Sequence, residues 1–351
     1  MPRRKLIQIA LGFLLVLVLG VGGFLRNQTI THPATGGATM GTGYSIKISG
    51  KVKTGDLEKL TARIEERLVE LNRQMSTWDP ESEISRFNHF RSTEPFACSR
   101  EFRMVVARSL ELAASTGGAF DPTLQPLLNL WGFGSEGVED RIPSVEKIAA
   151  IKAKTGFQKI LIEPGGLRKT DPELSLALGA IAKGYGVDAL AEILDSAGHA
   201  EWFAEIGGEV VVRGLNPEGV PWKVGIQYPT TNPMDERLQG IVHLTNGAVA
   251  TSGNYRNYIE QDGELFSHIL DPRTGEAIHS KTAGVTVFAD SCMDADGMAT
   301  ALYVMSVDEG LGWVEGLQGV EAMFLIQDES GEIIEKFSSG FIKATGYTSI
   351  R

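Results

Sequence analysis

Asp296 and Thr300 lie four residues apart in Ala295–Met305, a stretch of small and apolar residues that predicts a helix. Their side chains therefore share one face. A carboxylate beside a hydroxyl suits a hard cation such as Mg2+, which takes oxygen ligands and leaves other positions for water or phosphate. The same spacing also fits a plainer pair, an acidic residue near a helix N-terminus and a core-facing threonine. Leu178-Gly-Ala-Ile-Ala-Lys-Gly-Tyr185 is a small-residue turn running into a predicted helix. Gly179 and Gly184 permit close backbone approach, and Lys183 offers a cation to a phosphate or carboxylate. The GxxxxGK[ST] order of a Walker loop is missing, and a tightly packed helix start with a solvated lysine is the alternative.

Ser267-His-Ile-Leu-Asp-Pro-Arg-Thr-Gly275 holds a histidine with an aspartate three residues on. His268 could serve as a general base oriented by Asp271, or Asp271 could simply cap the turn. In Thr116-Gly-Gly-Ala-Phe-Asp-Pro-Thr123, Asp121 either faces a ligand or caps its own turn. Trp78, just after a predicted helix, offers a stacking face or a core side chain. Ile206-Gly-Gly-Glu209 and Ala250-Thr-Ser-Gly-Asn-Tyr255 are glycine turns that either present N–H groups to an anion or close hairpins.

Elements that must position these residues follow from periodicity. Apolar residues three or four apart at Leu57, Leu60, Ile64, Leu68 and Leu71 predict an amphipathic helix over 56–74. Further helices are expected at 99–115, 144–154, 180–197 and 295–305. Strands are expected at 43–52, 159–163, 209–213, 222–227, 239–244, 248–252 and 284–289, with a closing hairpin from 322–326 and 333–337. Long helices and short strands alternate without a βαβ rhythm, so the fold class is α+β, with mixed or antiparallel sheets flanked by helices.

The chain has 351 residues, 42% hydrophobic and 22% charged, with a net charge of −11. This is globular composition, and its acidity argues against sequence-independent nucleic-acid binding. Two cysteines exclude a disulfide-dense scaffold or a four-cysteine metal site, and Cys292 reads as a buried free thiol. Arg3, Arg4 and Lys5 precede Leu6–Leu25, whose only polar side chain is Gln8. Twenty such residues span a bilayer core, and the basic flank keeps the N-terminus cytoplasmic. Residues 1–26 are thus expected to be a signal or membrane-anchor segment, with retention favoured over cleavage. Residues 27–38 read as a linker and 39–351 as the folded domain.

Taken in order, Met40-Gly-Thr42, Met75-Ser-Thr-Trp78, Thr116–Thr123 with Leu130-Trp-Gly-Phe133, Gly179-Ala-Ile-Ala-Lys-Gly184 with Asp188, Ile206-Gly-Gly208, Ala250-Thr-Ser-Gly253, His268–Gly275 and Ala295-Asp-Gly-Met-Ala-Thr300 resemble the ApbE family of FAD:protein FMN transferases. The resemblance spans roughly residues 38–345 and implies a T-fold-related body. It implies Mg2+-dependent transfer of FMN from FAD to a Thr or Ser hydroxyl of a target flavoprotein, with release of AMP. Targets are typically subunits of membrane redox complexes, so the catalytic domain is expected in the periplasm, on a bacterial inner membrane.

By the same resemblance the metal is held by the Ala180 carbonyl, Asp296 and Thr300. The flavin site is lined by Met40, Trp78, Ala119, Phe120, Asp121, Lys183 and Ile269, and His268 is the base. Where many members carry Leu-Asp-Leu-Gly, this chain has Leu176-Ala-Leu-Gly179, so Ala177 replaces a flavin-contacting carboxylate. The alternatives are a Mg2+-dependent FAD pyrophosphatase and a non-catalytic periplasmic flavin-binding protein.

Overall fold

The computed structural model describes residues 26–136, 142–230, 232, 234–253, 258–261 and 264–350. Its centre is an eight-stranded sheet: β1 (Ala34–Thr39), β2 (Thr42–Ile48), β3 (Trp202–Ile206), β4 (Glu209–Arg213), β5 (Asn246–Gly253), β6 (Thr282–Ala289), β7 (Glu321–Gln327) and β8 (Ile333–Phe337). Spatial order follows chain order, and every neighbouring pair is antiparallel.

Three long helices, α1 (Thr54–Met75), α2 (Arg100–Ser115) and α3 (Ala182–Ser196), are inserted between β2 and β3. A fourth, α4 (Cys292–Val304), lies between β6 and β7.

Period-two alternation divides the core. Val211, Ala248, Ala250, Val285, Val287 and Phe324 face the helices. Val210, Val212, Val249, Met323 and Leu325 face the opposite side, where a small sheet of Trp222–Gln227, Leu238–Leu244 and Thr348–Ser349 covers them. Helix α1 buries Leu60, Ile64, Leu68, Leu71 and Met75 along one stripe, each worth about 1.5–3 kcal/mol of apolar transfer. Helix α4 is apolar nearly all round and packs on β5, β6 and α3, as a buried central helix should.

The antiparallel, helix-flanked architecture agrees with the sequence reading. Residues 27–38, expected as a linker, instead carry strands at Thr29–Thr31 and Ala34–Thr39. The first is only three residues long and pairs with Lys51–Lys53, and the second lacks large apolar residues and is ordered by its backbone ladder with β2. Helix α4 begins three residues before the expected start because Ser291 caps it, its side chain accepting from Asp294 N. Cys98 and Cys292 are both free thiols. The expected anchor lies, apart from Arg26, outside the described residues, and among those no helix is long and apolar enough to cross a membrane.

Candidate active site

The Met40–Gly41 and Gly207–Gly208 turns, the last residues of β5 and the first of β6 lie at one end of the sheet. The N-terminal turn of α3 and the middle of α4 meet above this end. Gly184 makes the meeting possible. A Cβ there would lie 2.2 Å from the Cys292 carbonyl oxygen and 2.8 Å from Asp296 Cβ. Without one, Gly184 N–H donates to Asp296 Oδ2 at 2.9 Å. A regular helix would send that N–H to the Ala180 carbonyl, four residues back. Among the described residues no backbone donor takes the Ala180 carbonyl, which frees it for another partner.

Asp296 is 3% exposed, and its Oδ1 lies 3.7 Å from Lys183 Nζ. Lys183 also donates to Glu209 Oε1. Glu209 is itself 3% exposed, and its Oε2 is buried without a hydrogen-bond partner. One ammonium is thus shared by two buried carboxylates. Burial, reinforced by Asp296, pushes the Glu209 carboxyl well above the usual carboxylate range, against the opposing pull of Lys183. Burial alone would lower the Lys183 pKa, but the two carboxylates hold it above the ordinary lysine range. One turn along α4, Thr300 Oγ1 lies 3.1 Å from Ser252 Oγ on β5.

This is an oxygen-rich set with excess negative charge and an unsatisfied buried carboxylate oxygen. It fits a hard divalent cation rather than zinc, which favours nitrogen and sulfur. Among the described residues no group of three His, Cys, Asp or Glu side chains gathers, so such a cation would rely on the Ala180 carbonyl and the Thr300 hydroxyl beside Asp296.

Asp188 on α3 fixes the start of α4. Its carboxylate accepts from Ser291 Oγ (2.8 Å), Cys292 N (2.9 Å) and Met293 N (2.9 Å). Met40 adopts φ +48, and its Cε would lie 3.1 Å from a Cβ at Gly186. The hairpin tip is therefore pressed against α3 at Gly186, three residues after Lys183.

The remaining predicted residues lie on other turns. Ala119 and Phe120 are buried, and Ala177 N donates to the Pro122 carbonyl at 2.8 Å, joining this turn to the segment before α3. Asp121 caps its turn: Oδ1 accepts from Thr123 N (2.8 Å) and Thr123 Oγ1 (2.6 Å), and Oδ2 from Phe157 N (3.0 Å). His268 meets Phe133 edge-on at 6.3 Å between ring centroids, and Ile269 is buried in the main core. The Asp271 carboxylate turns to Arg273, accepting from its backbone N (2.8 Å) and Nε (2.9 Å). Trp78 is 73% exposed, a bare aromatic face at the surface.

Sequence reasoning overlooked the Glu209 carboxylate. The signal was present, since Glu209 alternates with core-facing Val211 and so points inward. The role of Asp188 in holding α4 was also missed, because a cap from another helix leaves no local spacing.

Comparison with known proteins accords with this fold. Residues 40–324 match the profile of the ApbE family. The chain is 44% identical over 296 residues to the FAD:protein FMN transferase of Vibrio cholerae serotype O1, covering 84% of this chain and 87% of that one. Among solved structures, the flavin transferase ApbE from Vibrio cholerae superposes with a TM-score of 0.81 at 41% identity, covering 90% of this chain and 99% of that one. The apo flavinyl transferase ApbE of Pseudomonas stutzeri gives 0.80 at 37%, with coverage of 91% and 98%. The antiparallel α+β body is thus a shared architecture. The chain belongs to the ApbE family.

Proposed function

We propose that this transferase moves FMN from FAD to a Thr or Ser hydroxyl of a target flavoprotein, forming a phosphodiester and releasing AMP, with Mg2+ as the required cation. The observation that carries the reading is the Lys183–Asp296–Thr300 cluster, held under the Gly184 hydrogen bond beside the Ala180 carbonyl. Asp296, Thr300 and the Ala180 carbonyl would hold the cation. When bound, it would neutralise pyrophosphate charge.

Lys183 adds positive charge next to the phosphates. Met40, Trp78, the Ala119–Asp121 turn and Ile269 line the flavin nucleotide. The acceptor oxygen bonds to the phosphorus on the FMN side, and the bond from that phosphorus to the bridging oxygen breaks. AMP leaves with that oxygen. The hydroxyl proton goes to His268, because an alcohol with a pKa far above 7 needs a base within about 3 Å during attack. Targets are flavoprotein subunits of membrane redox complexes. The domain works on the periplasmic side of a bacterial inner membrane, tethered by residues 1–26.

His268→Ala tests the assignment. It should retain FAD binding and lose transfer about 10²–10⁴-fold, the usual contribution of one general base. Unchanged turnover would exclude His268 from that role.

A further inference from the structure

The outermost strand, β1, has no neighbouring strand on its outer side among the described residues. Its sequence, Ala-Thr-Gly-Gly-Ala-Thr, carries no charge, proline or large side chain, and Ala34, Gly36, Gly37 and Ala38 are exposed. Exposed edges are normally blocked by lysine, proline or a bulge. This one has none of these. The β1–β2 hairpin turns through Met40 and Gly41, so Thr39 and Thr42 form its closing pair. Antiparallel alternation then points the N–H and C=O groups of Ala34, Gly36 and Ala38 outward.

Beside this edge lies a cavity of about 770 Å³, between the hairpin and α1, whose lining includes Tyr44, Glu65, Leu68 and Val69. Tyr44 is 5% exposed, and its hydroxyl is buried without a hydrogen-bond partner. A buried hydroxyl left unpaired in the free protein marks where a ligand group can be satisfied. Burial and then Glu65 push the Tyr44 pKa up, so the hydroxyl stays a donor.

We propose that β1 is the docking edge for the acceptor protein, whose extended segment pairs as a ninth strand and places one polar side chain against Tyr44 and Glu65. The proposal rests on the transferase reading above. Continuity with the site favours this occupant. Strand β1 ends at Thr39, the next residue, Met40, packs its thioether at Gly186, and Gly184, two residues back on α3, touches Asp296. That path is roughly 10 Å, allowing 1.5 Å per helical residue plus two contact distances. Extended chain advances about 3.3 Å per residue. Adding about 5 Å for the Met40 side chain, a segment lying on β1 delivers a hydroxyl about four or five residues beyond its last pair to the cation site.

The test uses an acceptor protein already found by mass to gain FMN from the Vibrio cholerae relative. Ala38→Pro removes an outward N–H while leaving the inner ladder intact. Tyr44→Phe removes the unpaired hydroxyl. Each should raise the acceptor KM about tenfold, with kcat at saturating acceptor and FAD affinity retained. In the wild type, adding acceptor should slow amide exchange across Ala34–Ala38. An unchanged KM in both variants, or edge amides left unprotected by acceptor, would overturn the proposal. So would protection that depends on enzyme concentration alone, which would mean a second copy covers the edge. A wild type that never adds mass to the acceptor rejects the transferase reading itself, and this proposal with it.

Discussion

Gly184 donates its backbone N–H to Oδ2 of Asp296 across 2.9 Å, tying the first turn of α3 to the middle of α4. That one bond orients the carboxylate and withdraws a donor from the Ala180 carbonyl. It exists only because position 184 lacks a side chain. Gly184→Ala would drive its Cβ into backbone at Cys292, which cannot yield cheaply. We expect a loss of about 1–3 kcal/mol, the usual cost of overpacking, together with a weakened response to Mg2+. Urea unfolding and an Mg2+ titration of activity check this, and wild-type stability would contradict it.

Asp188 acts at one remove. It touches neither Asp296 nor Thr300 in any described contact, yet it holds the first turn of the helix that carries both. Asp188→Ala strips three hydrogen bonds and should cost about 1–3 kcal/mol. Asp188→Asn keeps an acceptor and should cost less. If α4 is positioned this way, half-saturation by Mg2+ should rise in the alanine variant and recover partly in the asparagine one. Equal behaviour of the two would reject the capping account.

Met40 carries a left-handed φ of +48 beside Gly41 at +72, the pair of positive angles that a two-residue hairpin of this hand requires. A side chain in that region costs about 1–2 kcal/mol. Met40→Gly relieves that strain but also removes the thioether's packing against the core, so thermal stability should change by less than about 1 kcal/mol. The substitution should also raise the KM for FAD, because the thioether packed at Gly186 is lost. A variant that binds FAD unchanged would mean the methionine is not retained for binding.

Glu101 supplies a pH-dependent element. It accepts from Tyr185 Oη (2.9 Å), Arg67 Nη1 (2.8 Å) and Gln74 Nε2 (3.1 Å), linking α1, α2 and α3. The Arg67 hydrogen bonds, opposed by burial and helped by Gln74 and Tyr185, hold its pKa down at about 2. A depressed carboxylate stabilises the fold above its ordinary value of 4.5, and that stabilisation is lost as pH falls from there towards 2. With the side chain 29% exposed, solvent screening reduces the effect to about 1–2 kcal/mol. Glu101→Gln should cost that much at pH 7 and flatten the acid limb of the stability curve. An acid limb as steep as the wild type's would place the titrating group elsewhere.

Amphipathic spacing located α1 and α2 within one or two residues, because their apolar stripes are local and regular. The α3 start was harder to see: Ala180 and Ile181 continue the small-residue pattern, but the helix begins at Ala182. Strand β1 was invisible for a different reason. Alanine, threonine and glycine give no alternation, and only pairing with β2 defines the strand. Asp296, Thr300 and Lys183 were singled out from spacing, and α3 and α4 bring Lys183 and Asp296 together. Glu209 completes that cluster from a distant strand, so its partnership depends on sheet order rather than on neighbouring sequence. At Asp271 the sequence left two readings open, partner of His268 or turn residue, and its carboxylate lies on Arg273 within the turn.

The most direct test follows the intact mass of an acceptor protein and AMP release together, with full-length enzyme, FAD and Mg2+. A mass gain equal to FMN minus water, matched by AMP and abolished in Asp296→Ala, is the predicted result. AMP without acceptor modification, or transfer that persists in Asp296→Ala, would contradict the account.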